Sequence, residues 1–400
     1  MPTPVTIEYR METRARGGFN ALYFALLLLS LHWAVVLYIN SSFLEQFVPH
    51  EMVSALYVFG AILTIIAFLN ASSLLTRFGN VRLAVVLTVI EFSALIGMAL
   101  SDSIYFAITL FVIHQTVVPL ILFNLDIFME ELIGDGEEST GGRRGMLLTI
   151  MSLTAALASL GMGKLLGNGI PNFASAYFAS ALILVPFLYI IIKHFRNFKD
   201  PQYPHFKIVE GIKTFWHQTD IRNVFFAHFL LQLFFTWMVI YTPLYLSTII
   251  GFHWESIGII LFMGLMAYVF LEYLIGFAAD NLIGEKEMMA FGFAVIAITT
   301  SWFVFLDDSS IISWMIAMFM TRVGASFVET TTESYFFKHT HSKDTNIISL
   351  FRITRPLSYV FGAVLGVATL SLVPFELLFI VLGLLMIPGL FFAMALHDTR

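Results

Sequence analysis

The sequence has no cysteine and little charge: Asp, Glu, Lys and Arg together make up 12% of its 400 residues. Without thiols there are no disulfides, thiolate metal sites or cysteine nucleophiles. The 11 histidines do not fall at the helical His-Glu-x-x-His spacing that holds zinc, so an intramembrane metalloprotease is disfavoured and no cofactor is implied. Gly141, Gly142 and Gly145 surround Arg143 and Arg144 but lack the lysine and hydroxyl residue of a phosphate-binding loop. No segment between apolar runs is long enough for a soluble catalytic domain. An enzyme is therefore not expected, and any function must sit among helices.

What the chain has in abundance is apolar surface: 58% hydrophobic residues and a mean hydropathy of +0.86, against roughly 45–50% apolar residues in soluble domains. Its 42 phenylalanines are lipid-facing and packing material rather than a cofactor box. At about twenty residues per span, the apolar runs number about twelve. They fall near residues 19–39, 52–70, 82–100, 104–127, 146–166, 173–193, 222–246, 255–278, 287–306, 310–334, 346–371 and 374–396. The first follows Arg10, Arg14 and Arg16 like a signal peptide, but its length and the lack of a small-residue cleavage site predict a retained helix.

The basic residues test this division. Arg77, Arg82, Arg143, Arg144, Lys193, Arg196, Lys199, Lys207, Lys213, Arg222, Lys286, Lys338, Lys343 and Arg400 share one side with the N-terminal arginines if the spans alternate. Only Lys164 approaches the other side, whose turns carry Glu45, Glu51, Asp102, Glu255, Asp307 and Asp308. Lysine and arginine stay inside, so both termini are expected in the cytoplasm, in the cytoplasmic or plasma membrane of a prokaryote. The expected units are a tail at 1–18, a six-span bundle at 19–193, a linker at 194–221, a second bundle at 222–396 and a tail at 397–400. Within the linker, Pro204 is suited to open a short surface helix carrying Phe206, Val209, Ile212 and Trp216 on one face.

One turn is more specific than composition. Gly276 and Asp280 are four apart, so they share a helical face; the glycine admits a neighbouring helix and the carboxylate suits that neighbour's positively polarised N-terminus. Gly284 supplies the turn, and Lys286 points to the cytosol. A weaker copy runs Ser72, Thr76, Arg77, Gly79, Arg82, with Ser72 and Thr76 in place of the glycine and acid. Gly79 and Gly284 are about 205 residues apart, and Trp33 with Trp237 and Asp102 with Asp307 repeat at nearly that distance, which points to duplication. The Gly276, Asp280, Gly284 and Lys286 turn resembles the loop signature of the major facilitator superfamily (MFS) of secondary transporters, although Asn281 and Glu285 stand where basic residues are usual. The resemblance implies an all-α membrane protein of twelve transmembrane helices in two pseudo-symmetric six-helix bundles. It also implies a central path lined by spans one, four, seven and ten.

Ionisable groups inside a bilayer cost about 2.5–3.5 kcal/mol each at mid-helix, so they mark candidate sites. Span ten carries Arg322, Ser326, Glu329 and Glu333 on one face, suited either to an anionic or polar solute and a proton or to ion pairs with Arg352 and Arg355 of span eleven. The substrate and proton pathway is expected to use His32, His114, His228, Gln232, Glu272, Arg322 and Glu329. A gate at the cytoplasmic end is expected from Asp126, facing Arg77 or Arg82, together with Gly79, Gly276, Asp280, Gly284, Lys286, Glu333, Arg352 and Arg355. Glu91, in peripheral span three, reads as a packing residue. The expected function is secondary active transport of a small solute by alternating access, coupled to protons. The partners are that small-molecule substrate, protons and the lipid bilayer, with no nucleic acid, the chain acting as a monomer. The alternative is a non-transporting membrane scaffold or receptor of similar architecture.

Overall fold

The computed structural model describes residues 4–37, 39–48, 50–133, 140–166, 172–203, 213, 215–306, 310–340 and 344–397. The expected linker helix at 204–212, Asp307, Asp308, Lys343 and Arg400 lie outside the described residues, as do the side chains of Arg10, Arg14, Arg16, Glu51 and Lys164. The first half contains α1 (Pro4–Leu37), α2 (Asn40–Glu45), α3 (His50–Leu69), α4 (Ala71–Phe78), α5 (Asn80–Ala99), α6 (Ile104–Ile133), α7 (Thr140–Leu166) and α8 (Phe173–Phe195). The second contains α9 (Thr219–Thr248), α10 (Trp254–Asn281), α11 (Glu285–Ser301), α12 (Ile311–Lys338), α13 (Thr345–Arg352), α14 (Thr354–Leu372) and α15 (Leu378–Met394). Among the described residues eleven helical spans are long and apolar enough to cross a membrane, and the bent pair α3 and α4, taken as one span, makes twelve. The chain is an all-helical integral membrane protein of twelve spans in two bundles.

Two expected spans are broken. At Asn70 the chain bends by 55°, where the side-chain amide donates to the Ile66 carbonyl oxygen at 2.8 Å and the backbone N–H is shared between the Ile66 and Ala67 carbonyls at 3.2 and 3.1 Å. The eleventh span is interrupted at Ile353, which separates α13 from α14. The two loop copies meet the same steric demand. Gly79 (φ 75°) precedes α5 and Gly284 (φ 90°) precedes α11, both in the left-handed region that a side chain rarely enters. Phe24, Leu182, Ile298, Ile312 and Phe391 are exposed large apolar side chains on helices of membrane length, the surface a bilayer covers.

Within the first half, α5 packs on α6 and α8, and α1 on α6, α7 and α8; in the second, α12 packs on α10 and α11, and α9 on α14 and α15. The halves meet where α7 lies along α10 and α3 along α14. Small residues allow the first contact: a Cβ on Gly145 would sit 2.7 Å from the Glu272 carbonyl oxygen, and one on Gly276 would collide with that of Gly141. The end bearing Arg77, Arg82, Lys286 and Lys338 is termed the basic end.

Candidate functional site

A cavity of about 670 Å³ lies between the bundles, within the range of small-molecule sites. Its wall draws on both halves: Trp33 of α1, Tyr57 of α3, His114 and Gln115 of α6, His228 and Gln232 of α9, Glu329 of α12, and Arg355 and Tyr359 of α14. Pro119 inside α6 and Pro243 inside α9 also line it, and each removes a helical hydrogen bond where the helices part around the space. Tyr57 and Tyr359 stack across the two halves, centroids 6.0 Å apart and planes at 13°. The lining reaches Ser41, Glu45, Ser247 and Leu370 toward the end away from the basic loops. Toward the basic end it stops at Asp126, Glu333 and Arg352.

That floor is a buried ion network. Asp126 and Glu130, one turn apart on α6, both bind Arg144 of α7: Nη1 donates to Asp126 Oδ1 at 2.8 Å and Nη2 to Glu130. Arg352 crosses from α13, with Nε 2.8 Å from Asp126 Oδ2 and Nη2 3.0 Å from Asp126 Oδ1. It is also bidentate to Glu333 of α12, with Nη2 3.1 Å from Oε2 and Nη1 on Oε1. Phe337 covers both guanidiniums, its ring centre 3.4 Å from Arg144 Cζ and 5.4 Å from Arg352 Cζ. Arg144 is fully buried and Asp126 nearly so, which makes the set costly to break from one side. Asp126 was expected to face Arg77 or Arg82; its partners are Arg144 and Arg352, because the turn after Phe78 carries those two arginines away to the surface.

A second tie runs through the glycine turn. Gly142 N–H, in the first turn of α7, donates to Asp280 Oδ2 at 2.8 Å, and Lys338 Nζ lies 3.0 Å from Asp280 Oδ1 and 2.5 Å from Glu285 Oε1. Asp280 thus meets both the exposed amides of a helix start and a cation. Lys286 is half-buried, beyond this set. In the other copy Thr76 spends its hydroxyl on its own helix, at Ser72 O, and Asp200 from the linker takes the acidic place, accepting from Asn80 N–H at 2.7 Å beside Gly79. Tyr203 also donates to Asp200 at 2.7 Å, and burial followed by that bond raises its hydroxyl well above the ordinary tyrosine range. Arg77, Arg82, Arg196 and Asp200 line a separate surface cavity of about 890 Å³ there, away from the bundle interface.

The remaining expected residues divide. Glu329 faces the cavity, one turn from Glu333. His228 lies on the cavity wall stacked on Phe351 at 4.2 Å, with Nδ1 2.7 Å from Thr354 Oγ1 and Nε2 3.2 Å from Gln232 Nε2. Glu272 is fully buried at the α7–α10 contact, where Ser152 Oγ donates to it at 3.0 Å. Arg322, expected on the pathway, is outside the lining: it is packed between α9, α10 and α12, its Cζ 5.3 Å from the Phe234 ring centre and its stem against Gly264. Arg355, expected at the gate, instead lies on the cavity wall, its Cζ 4.6 Å over Trp33, and no carboxylate among the described residues forms an ion pair with it.

Sequence reasoning missed Arg144, Glu130, Glu91 and Asn40. The signal for the first two was present: acids at i and i+4 on one face of an apolar helix need a buried cation. Glu91 was set aside as peripheral, yet His114 Nδ1 lies 2.5 Å and His32 Nε2 3.4 Å from its Oε1.

The geometry has relatives. Residues 224–400 match the Major Facilitator Superfamily model. No curated protein matches the sequence. Among solved structures the chain is similar to that of the human organic anion transporter MFSD10 (TETRAN), with a TM-score of 0.75 and 11% identity, covering 95% of this chain and 99% of that one.

Proposed function

We propose that this chain, whose residues 224–400 match the Major Facilitator Superfamily model, is a secondary active transporter that moves a small solute by alternating access and couples it to protons. The observation that carries this reading is the cavity between the halves, floored at the basic end by ion pairs that cross from one half to the other. Rocking one bundle against the other breaks those pairs and closes the far end around a fixed midplane site. With lysine and arginine kept inside, the basic end is cytoplasmic and this form opens outward. Arg355 on the cavity wall, with no ion pair to an acid among the described residues and stacked on Trp33, suits an anionic group, and the aromatic wall of Tyr57, Tyr359 and Phe111 suits an apolar body. A small organic anion fits both, the class of solute that the similar human organic anion transporter is named for. Glu329, beside Glu333 in the same wall, is the group we assign to the coupling proton.

The absence of native cysteine makes the test direct. Single cysteines replace Val367 and Leu370 near the far end of the cavity, and Ser73 and Asn281 at the basic end, in proteoliposomes exposed to a membrane-impermeant thiol reagent. A transported anion must lower labelling at one end as it raises it at the other. Labelling that never changes reciprocally, under any of the organic anions tried, would refute alternating access.

A further inference from the structure

Apart from the cavity floor, the first bundle holds a second set of buried titratable groups. Glu91 of α5 is fully buried, and its Oε1 faces two imidazoles, His114 Nδ1 at 2.5 Å and His32 Nε2 at 3.4 Å. Its other oxygen has no hydrogen-bond partner among the described residues. The outer partners fix both tautomers. Tyr177 O–H donates to Asn40 Oδ1 at 2.8 Å, so the Asn40 amide nitrogen, 3.3 Å from His114 Nε2, donates to that nitrogen. His114 therefore carries its proton on Nδ1, toward Glu91. Ser180 gives its hydroxyl hydrogen to the His32 carbonyl oxygen at 2.8 Å, so its Oγ accepts from His32 Nδ1 at 2.7 Å. A neutral His32 then turns a bare Nε2 toward a carboxylate oxygen.

Two acceptors opposed in a dry interior repel, and one proton between them converts the contact to a hydrogen bond or ion pair. We propose that Glu91 and His32 form a proton-binding site inside the first bundle, which takes up one proton and exchanges it with the central cavity through His114. Binding changes the charge of the cluster from −1 to 0. His114 and Asn40 both line the cavity, whereas Glu91 and His32 do not. A proton arriving at His114 Nε2 makes an imidazolium; its Nδ1 proton passes to Glu91 Oε1 and on to His32 Nε2. His114 is left neutral with the proton on Nε2, donor against donor with Asn40. The amide must then turn and release Tyr177, which links proton uptake to the short helix α2 at the cavity edge. The titratable groups facing Glu91 are His32 from α1 and His114 from α6; Tyr177 from α8 follows through Asn40, with Tyr57 of α3 beyond it. No lysine or arginine among the described residues forms an ion pair with Glu91. This site is separate from Glu329, which belongs to the other bundle.

The test uses the full chain in lipid, with 15N-labelled histidine and infrared detection of protonated carboxyl groups, from about pH 5 to 8. Glu91→Gln keeps the shape and an oxygen to accept from His114 Nδ1 while removing the ionisable carboxyl group, and its fold is checked by the melting temperature. The native protein is expected to show one proton, as a His32 imidazolium or a carboxyl band, within this range. It must vanish in Glu91→Gln, and His32→Gln must remove the imidazolium signal. Glu329→Gln must leave it in place. Spectra of native protein and Glu91→Gln that agree throughout the range would overturn the proposal. So would loss of the signal in Glu329→Gln, which would move the proton to the second bundle and leave the transport reading standing.

Discussion

Asp126→Asn isolates the tie that holds the basic end shut. In the native network Asp126 is the one carboxylate hydrogen-bonded to arginines of both halves, to Arg144 at 2.8 Å and to Arg352 at 2.8 and 3.0 Å. Among the described residues, the other ion pair across the floor, Arg144 to Glu333, is 4.0 Å long. Asparagine keeps one accepting oxygen and turns an N–H against the remaining arginine. At about 1.5–3 kcal/mol for a hydrogen bond to a charged group, losing one of the two bonds from Arg352 shifts the closed-to-open balance roughly 10- to 150-fold. Glu130 and Glu333 still balance Arg144 and Arg352, so the fold survives while the latch weakens. Spin labels on cysteines at Thr76 and Asn281 read the basic end, and labels at Ser103 and Phe305 read the far end. Distances at the first pair must lengthen and those at the second shorten in Asp126→Asn without any solute. Unchanged distributions at both ends would show that these ion pairs do not hold the closure.

Four further outcomes follow from the same geometry. Gly276→Ala pushes a methyl group into the Gly141 backbone and should cost about 1–3 kcal/mol, read as a lower melting temperature of the purified protein. Gly284→Ala, at φ 90°, should cost about 1–2 kcal/mol in the same melt, with Gly276→Ser as a check that crowding and backbone strain are separate effects. Glu329→Gln should abolish proton-driven uptake in vesicles while counterflow persists; full pH-dependent uptake would remove it as the coupling group. Arg355→Ala should weaken the thermal stabilisation given by organic anions at least tenfold in concentration, with neutral analogues unaffected.

The sequence made the spans legible because burial in lipid is decided by hydropathy alone. The turn at Gly276 and Asp280 was equally readable, since a glycine and an acid one turn apart restrict what can pack beside them. Partner choice was not. Asp126 could face any arginine at its depth, and only the arrangement of α6, α7 and α13 selects Arg144 and Arg352 over Arg77 and Arg82. Arg322 and Arg355 were assigned opposite surroundings for the same reason: helical spacing gives a face, but which neighbour that face meets depends on tilt and breaks such as the one at Ile353. Glu91 was undervalued because its partners, His32 and His114, are far from it in sequence.

The two copies of the turn have parted in a way that gives the basic end an asymmetry. In the second copy Asp280 leaves its own bundle to hold the start of α7, with Lys338 fixing it from α12. In the first copy the acid is gone; Thr76 bonds only to Ser72, and the acid beside Gly79 comes from Asp200 of the linker, which stays within the first half. The turn therefore crosses between bundles on one side only. On the other side that work falls to Arg352, reaching from α13 to Asp126. A rocking motion that opens this end must break the Arg352 tie, whereas Asp280 sits at the close α7–α10 contact, where Gly141, Gly145 and Gly276 leave little room for separation. On the proposed rocking mechanism the hinge lies along α7 and α10, and opening proceeds from the Asp126 side: a cross-link between α7 and α10 should leave the cycle running, while one between α6 and α13 should stop it.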